Sequence, residues 1–293
     1  LARKSQNKSL HLRSKLNILI TGGEGLIGRE LQEVLEFDDC KVYILDIKNG
    51  QDVMNYETCK QYCTGMDQVY HLFGIKGNPH VTKNYPASFM LPMLQGDTNM
   101  IRAAVECGVK TFLYTSSIAV EHPQTDEYPA WAKQTAEKLI DALRIQKCKT
   151  EFVIVRPSNV YGPYDNFDNK HAMVITSLVK QAVDKGKITQ IGKGDNIRDF
   201  IHARDVAMGM KKAMTERPIY PVNLCSGDGV SIAKIIELVA KESNAQIEKL
   251  DSDEYHGDKV RVMKQNWEFK PMIQIGKGIR EVVNAYRNST DQR

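Results

Sequence analysis

Short apolar runs of strand length alternate with helical periodicity through the first half of the chain. LNILIT (16–21) is one such run, and behind it Ile27, Leu31, Val34 and Leu35 recur at the spacing of a single helix face. KVYILD (41–46), QVYHLF (68–73), KTFLYT (110–115) and FVIV (152–155) repeat the strand signature. Residues 55–65, roughly 87–107 and 130–147 carry helical spacing, the last with Ala132, Ala136, Leu139, Ile140 and Leu143 on one face. Strands that alternate with helices in this way run parallel and are joined by crossovers, which predicts an α/β doubly wound parallel sheet.

The texture changes after Arg156-Pro157. RPSNVYGPYDNFDNK is rich in turn residues and reads as too polar for a core element. A helix at about 172–185, a loop IGKGDNIRDFIHARD, a helix near 204–215, a short strand PVNLC (221–225) and a helix on Ile232, Ile235, Ile236 and Val239 complete the pattern. Three regions follow: a basic tail over 1–15, a sheet domain over 16–156, and a smaller lobe over 157–293 from which segments near 196–225 return to the sheet.

Composition narrows the function classes. The 293 residues are 42% hydrophobic and 26% charged, which is ordinary globular usage and excludes disordered, collagenous and coiled-coil chains. No apolar run approaches the roughly 20 residues of a membrane span. The net charge of +4 is uneven: residues 1–15 hold five Lys and Arg and no acid, which leaves the remainder at −1. The body therefore carries no footprint for nucleic acid. LARKSQNKSLHLRSK lacks the apolar stretch of a secretory signal and reads as a solvated tail, with a basic arm for acidic partners as the alternative. Cys40, Cys59, Cys63, Cys107, Cys148 and Cys225 form no CxxC pair and have no His at metal spacing, so reduced, mostly buried thiols of a cytoplasmic protein are expected and no metal site.

The sharpest chemical signal is Thr21-Gly22-Gly23-Glu24-Gly25-Leu26-Ile27-Gly28, which follows a strand and opens a helix. That context marks the dinucleotide fingerprint of a Rossmann-type sheet. Gly22 or Gly23 permits the tight turn, Gly25 lets main chain approach a pyrophosphate, and Gly28 lets helix pack on strand. Unpaired N–H groups at the helix start, around Leu26 and Ile27, receive the anion. Asp46 ends the second strand 18 residues beyond Gly28, near the separation at which an acid bonds the adenosine ribose hydroxyls. With Glu24 it would repel a 2′-phosphate, so the expected cofactor is NAD. Asp52 and Val53 are candidates for the adenine edge, a solvated loop being the other reading of Asp52.

On TGGEGLIG, VYHLFG, GVKTFLYTSS, WAKQTAEKL, RPSNVYGP and IRDFIHARD, the chain resembles the extended short-chain dehydrogenase/reductase family over about 16–290. This is the group of nucleotide-sugar epimerases and dehydratases. RPSNVYGPYDNF is most similar to its GDP-L-fucose synthase branch, which implies a GDP-sugar. The resemblance implies hydride exchange between NAD and a sugar carbon, a Tyr acid/base, a Lys that binds the nicotinamide ribose and lowers the Tyr pKa, and a Ser beside the reacting oxygen. It also implies a homodimer through the helices near 90–107 and 130–147. Lys133 matches the family Lys, and Ser117 the Ser, with Ser116 as the alternative. Leu72, Phe73 and Gly74 fall at the wall near the nicotinamide, where Phe73-Gly74 replaces the usual Ala-Ala. Asn159 and Arg198 match substrate-loop and pyrophosphate positions; Lys193 and Arg261 are weaker candidates, each reading as an exposed charge before a ligand.

The tyrosine departs from the pattern. Four residues before Lys133 stands Pro129, and Tyr128 is five before. At about 100° per residue, four residues leave side chains about 40° apart and five leave them about 140° apart. Proline favours the first turn of a helix and pushes its predecessor toward extended geometry. Two placements follow: on one continuous helix Tyr128 and Lys133 point to different sides, whereas a Tyr128 extended outside the helix brings its hydroxyl toward Lys133. Met93 and Met173 stand where the branch implies an Asn and a His, with His171 as a weak substitute, and Glu121-His122 reads as a solvated loop, with a replacement acid/base pair as the alternative. Two readings remain: an NAD-dependent nucleotide-sugar epimerase, dehydratase or reductase with Ser117, Tyr128 and Lys133, or a binding protein that keeps both ligands without turnover.

Overall fold

The computed structural model describes residues 15–75, 77, 79–121, 127–168, 172–251 and 259–290. The apolar runs of the first half form β1 (Leu16–Thr21), β2 (Cys40–Leu45), β3 (Gln68–His71), β4 (Thr111–Thr115) and β5 (Glu151–Pro157). Between them lie α1 (Leu26–Leu35), α2 (Tyr56–Cys63), α3 (Pro79–Asn84), α4 (Pro86–Glu106) and α5 (Tyr128–Ile145).

Adjacent residues of one strand serve opposite faces. Ile18 and Ile20 of β1 pack with Leu31, Val34 and Leu35 of α1, whereas Leu19 packs with Met100, Ile101 and Ala104 of α4. With both faces covered, these strands read as continuous apolar runs without alternation.

The second half adds β6 (Asn159–Tyr161), α6 (Val174–Lys185), β7 (Lys187–Ile191), β8 (Ile197–His202), α7 (Ala203–Glu216) and β9 (Val222–Leu224). It ends with β10 (Gly229–Ser231), α8 (Ile232–Ser243), β11 (Gln246–Leu250), β12 (Val260–Arg261) and α9 (Ile275–Thr290). The main sheet has the order β2-β1-β3-β4-β5-β9 and every neighbouring pair is parallel. The expected Rossmann-type doubly wound sheet is present. Its strand order reverses at β1, and in such sheets ligands bind outside the carboxyl ends of the strands at that point. Thr21 pairs with both Leu45 and His71, so three strand ends meet there in register. Of segment 196–225, α7 packs on the sheet against α1 and β9 extends it, while β8 belongs to a smaller sheet with β6, β10 and β12.

Two segments read as loops contain strands. RPSNVYGPYDNFDNK holds the end of β5 and all of β6, with Tyr161 buried, and IGKGDNIRDFIHARD holds β8 with Phe200 and Ile201 buried. The polar signal misled because the polar groups are satisfied internally. The fully buried Asp199 accepts from Ser158 Oγ at 3.0 Å, Ser226 N at 2.9 Å, Ser226 Oγ at 2.8 Å and Gly227 N at 3.0 Å. A buried carboxylate with four donors carries little desolvation penalty.

Candidate functional site

Two cavities of about 420 and 370 Å³ open at the carboxyl ends of β1, β3 and β4, within the usual range for small-molecule sites. They share Ile27, Leu72, Phe73, Gly74, Ile75 and Asp165, so one ligand can extend from the first into the second.

The larger cavity is built on the loop between β1 and α1. Gly22 sits at φ +69°, a conformation that side chains rarely adopt, and Gly25 N donates to Gly22 O at 3.0 Å to close the turn. A Cβ on Gly28 would lie 2.5 Å from the Gly23 carbonyl oxygen. The position must be glycine for α1 to start where it does. Gly25 is the N-cap of α1 and provides no side-chain cap, which leaves first-turn N–H groups for a ligand. A cradle without side chains, ending on an uncapped helix start, fits the diphosphate of NAD. Gly22, Gly25, Leu26, Ile27 and Gly28 line this cavity together with Asp46, Asp52, Val53, Leu72, Phe73 and Gly74.

Asp46 does not extend β2 as read from KVYILD. It starts a 3-10 turn over Ile47–Asn49, where Oδ1 accepts from Lys48 N and Oδ2 from Glu24 N, both at 2.9 Å. The carboxylate is thus fixed at the cavity rim with lone pairs to spare. Asp52 uses one oxygen to accept from Met54 N at 2.9 Å. Sequence reading missed Tyr164, Asp165 and Asn166, which line the same cavity from the segment after β6. Tyr164 donates to Glu33 Oε1 at 2.7 Å, and Arg29 lies 5.5 Å from its ring centroid. Nothing local in YGPYDNF signals this contact across the fold.

The smaller cavity brings together Ser116, Ser117, Lys133 and Asn159 with Met93, Pro129, Met173 and Phe200. Ser117 Oγ accepts from Ala119 N at 3.2 Å and caps the turn over Ile118–Val120. Thr115 and Ser116 also line this cavity, and their buried hydroxyls have no partner among the described residues. A buried hydroxyl without a partner costs free energy, which a ligand's polar atom would recover. Asn159 lines the wall while its Nδ2 donates to Asp199 O at 2.8 Å.

Other expectations need correction. Tyr128 is not extended outside the helix: α5 begins at Tyr128, with Glu127 as N-cap and Pro129 in the first turn. The preference of a residue before proline for extended backbone is overridden here: Ala130 N and Trp131 N both donate to Glu127 O, at 2.9 and 3.2 Å, which closes the first turn across Tyr128. The separation of about 140° from Lys133 therefore applies. Tyr128 is 40% exposed and lines neither cavity, whereas Pro129 lines the smaller one. Arg198 also lines neither; its Nη1 turns back to the Ile197 carbonyl at 2.8 Å. Glu121 is tied into the fold and not held in a solvated loop: it accepts from Arg156 Nη1 at 3.3 Å and from Asn223 Nδ2 at 3.0 Å. Arg261 is not an exposed charge but half-buried and paired with Glu127 at 2.8 Å, whereas Lys193 is exposed as read. His122 and His171 lie outside the described residues.

Beneath the smaller cavity lies a charged network that sequence reading did not find. Asp97, 1% exposed on α4, accepts from His71 Nε2 at 3.0 Å and from Tyr114 OH at 2.5 Å, and its Oδ2 is 3.4 Å from Lys133 Nζ. Lys133 Nζ also donates to the Phe73 carbonyl at 3.0 Å. Burial pushes the Asp97 pKa upward, but the charge of Lys133 and the donors His71 and Tyr114 outweigh it and hold the acid below the usual carboxylate range. Burial holds His71 below its usual value, so the ring is neutral. An acceptor-only carboxylate then places the ring proton on Nε2, and Nδ1 accepts from Thr21 Oγ1 at 2.7 Å. One signal was available: Asp97 shares the buried stripe of α4 with Met93, Met100 and Ala104.

Comparison with known proteins agrees with this architecture. The family model described as "NAD dependent epimerase/dehydratase family" matches residues 18–224. Probable GDP-L-fucose synthase 1 of Oryza sativa subsp. japonica is 26% identical over 92% of this chain and 91% of its own length. UDP-glucuronic acid decarboxylase 1 of Xenopus tropicalis is 22% identical over 98% of this chain and 76% of its own. Among solved structures, UDP-glucose 4-epimerase of Thermotoga maritima with UDP-glucose superposes with a TM-score of 0.84 at 19% identity, covering 94% of this chain and 100% of that one. A GDP-L-fucose synthetase from Naegleria fowleri bound to NADP gives 0.80 at 20% identity, covering 99% and 98%. With a cradle shaped for a dinucleotide and a family match over most of its length, the chain belongs to the NAD dependent epimerase/dehydratase family.

Proposed function

We propose that this chain binds NAD in the larger cavity and a nucleotide sugar in the smaller one, without carrying out tyrosine-dependent proton transfer. It then serves as a sensor of these ligands or as the inactive partner of a related subunit. One observation carries the reading: the cavity wall beside Lys133 presents Pro129, while the nearby phenol of Tyr128 starts the helix on another side. A bound NAD supplies a hydride acceptor. The carbon that bears a sugar hydroxyl gives up hydride readily only as the hydroxyl proton leaves, and proline cannot take that proton. Met93 and Met173 likewise offer no acid or base.

The presence of Ser116, Ser117 and Lys133 around the same cavity favours a second reading, an active epimerase, dehydratase or reductase with altered acid/base chemistry. A homodimer through α4 and α5 is part of either reading; Leu91 on α4 is 67% exposed and Trp131 on α5 is 37% exposed. The deciding experiment titrates the protein calorimetrically with NAD, then incubates it with NAD and GDP-, UDP- and dTDP-sugars while following masses and absorbance at 340 nm. The binding reading expects heat with NAD and no altered sugar. Conversion of any sugar overturns it in favour of the enzyme.

A further inference from the structure

Lysine ammonium groups have three N–H donors and no acceptor. Two of those on Lys133 are committed inside the protein, to the Phe73 carbonyl at 3.0 Å and to Asp97 Oδ2 at 3.4 Å. The side chain is 8% exposed and lines the cavity, so one donor remains for whatever enters. Phe73 belongs to both cavities, which places this donor at their junction.

Asp97 is itself held from three sides. His71 Nε2 fixes one oxygen at 3.0 Å, Tyr114 OH fixes the other at 2.5 Å, and the Tyr114 ring centroid lies 4.8 Å from Lys133 Nζ. His71 is anchored in turn on Thr21, the last residue before the glycine loop. A flexible four-carbon stem normally loses rotamer freedom when it meets a ligand. Here that ordering is complete before the ligand arrives.

From this we infer that Asp97 is a positioning residue: it seats the Lys133 ammonium against Phe73 O and presents its remaining N–H to the nicotinamide-ribose end of the coenzyme. The inference rests on the coenzyme reading of the larger cavity and adds to it a residue that touches no ligand. Asp97 acts only through Lys133, so its removal weakens the nicotinamide half of the coenzyme and spares the adenine half. ADP, which carries adenosine and the diphosphate alone, engages the glycine cradle and the Asp46 rim without reaching Lys133.

The test compares NADH and ADP affinities by fluorescence and calorimetric titration for the wild type, Asp97→Asn, Lys133→Gln and the double variant. Asp97→Asn is expected to weaken NADH roughly five- to tenfold, equivalent to about 1–1.4 kcal/mol, and to leave ADP within twofold. In the Lys133→Gln background the same substitution is expected to change nothing further, a coupling that a general loss of core stability would not produce. If Asp97→Asn does not fold, Asp97→Glu, which keeps the charge but displaces it by one methylene, carries the same comparison. An unchanged NADH affinity, an equal loss for ADP, or a loss that persists without Lys133 each overturns the inference and leaves coenzyme binding standing. A wild type that binds neither NADH nor ADP overturns both.

Discussion

Pro129 and Lys133 stand one helical turn apart on α5 and line the same cavity, while Tyr128 lines neither cavity. A phenol at position 129 would project about 40° from Lys133. Pro129→Tyr is accordingly expected to create NADH-forming turnover with at least one nucleotide sugar where the wild type shows none. Tyr128→Phe should leave NADH affinity within twofold. Absorbance at 340 nm and fluorescence titration check the pair; a Tyr128→Phe variant that abolishes existing turnover would return the phenol to the site.

Gly28 packs against the carbonyls of its own loop, with a Cβ placed 2.5 Å from Gly23 O. Gly28→Ala must push the start of α1 away from the Gly22–Gly23 backbone, at about 1–3 kcal/mol of overpacking strain. NADH binding should fall below detection, and the melting temperature should drop. Gly50, at φ +77° with open space around it, makes the contrast: Gly50→Ala costs only its left-handed backbone, about 1–2 kcal/mol, and leaves the cradle intact.

Coenzyme choice follows from the Asp46 rim. Its carboxylate is pinned by Glu24 N and Lys48 N, and the Glu24 side chain lies in the same loop, 3.1 Å from Arg29. A 2′-phosphate would meet negative charge there, so NADH is expected to bind at least about tenfold more tightly than NADPH, a difference of about 1.4 kcal/mol. Asp46→Asn should narrow the ratio. Parallel titrations of the two coenzymes measure it, and equal affinities in the wild type would refute the assignment.

Stability should depend on pH through Glu30. Burial, reinforced by Glu33 and opposed by Arg204, pushes its carboxyl from the usual 4.5 up to about 7. A folded pKa above the unfolded one gives a stability contribution that is complete below about 4.5 and is lost as pH rises through about 7. Glu30→Gln removes this dependence. The melting temperature of the variant relative to wild type is expected to climb between pH 5 and about 8. A flat difference would show that Glu30 ionises freely in the native state.

The legible parts of this protein were those in which local pattern and tertiary role coincide. β1 and α1 were legible because Ile18, Leu19 and Ile20 are all buried and Leu31, Val34 and Leu35 share one face. The glycine cradle was legible because its spacing is fixed by backbone sterics, which depend on residues a few positions apart. β8 was hidden because Asp199 sits in its middle, and the donors that make its burial tolerable come from Ser158, Ser226 and Gly227.

Sequence alone determined the alternation of β1 to β5 with α1, α2, α4 and α5, the place of the first crossover and the need for glycine at its start. Those follow from periodicity and from the space a side chain occupies. Only the tertiary structure decided what surrounds Lys133. His71, Asp97 and Tyr114 come from three separate elements, β3, α4 and β4, and meet because β3 and β4 are neighbours under α4. It also decided the fate of Tyr128, since a helix can start one residue earlier or later at almost no local cost, and that single residue turns a side chain by about 100°.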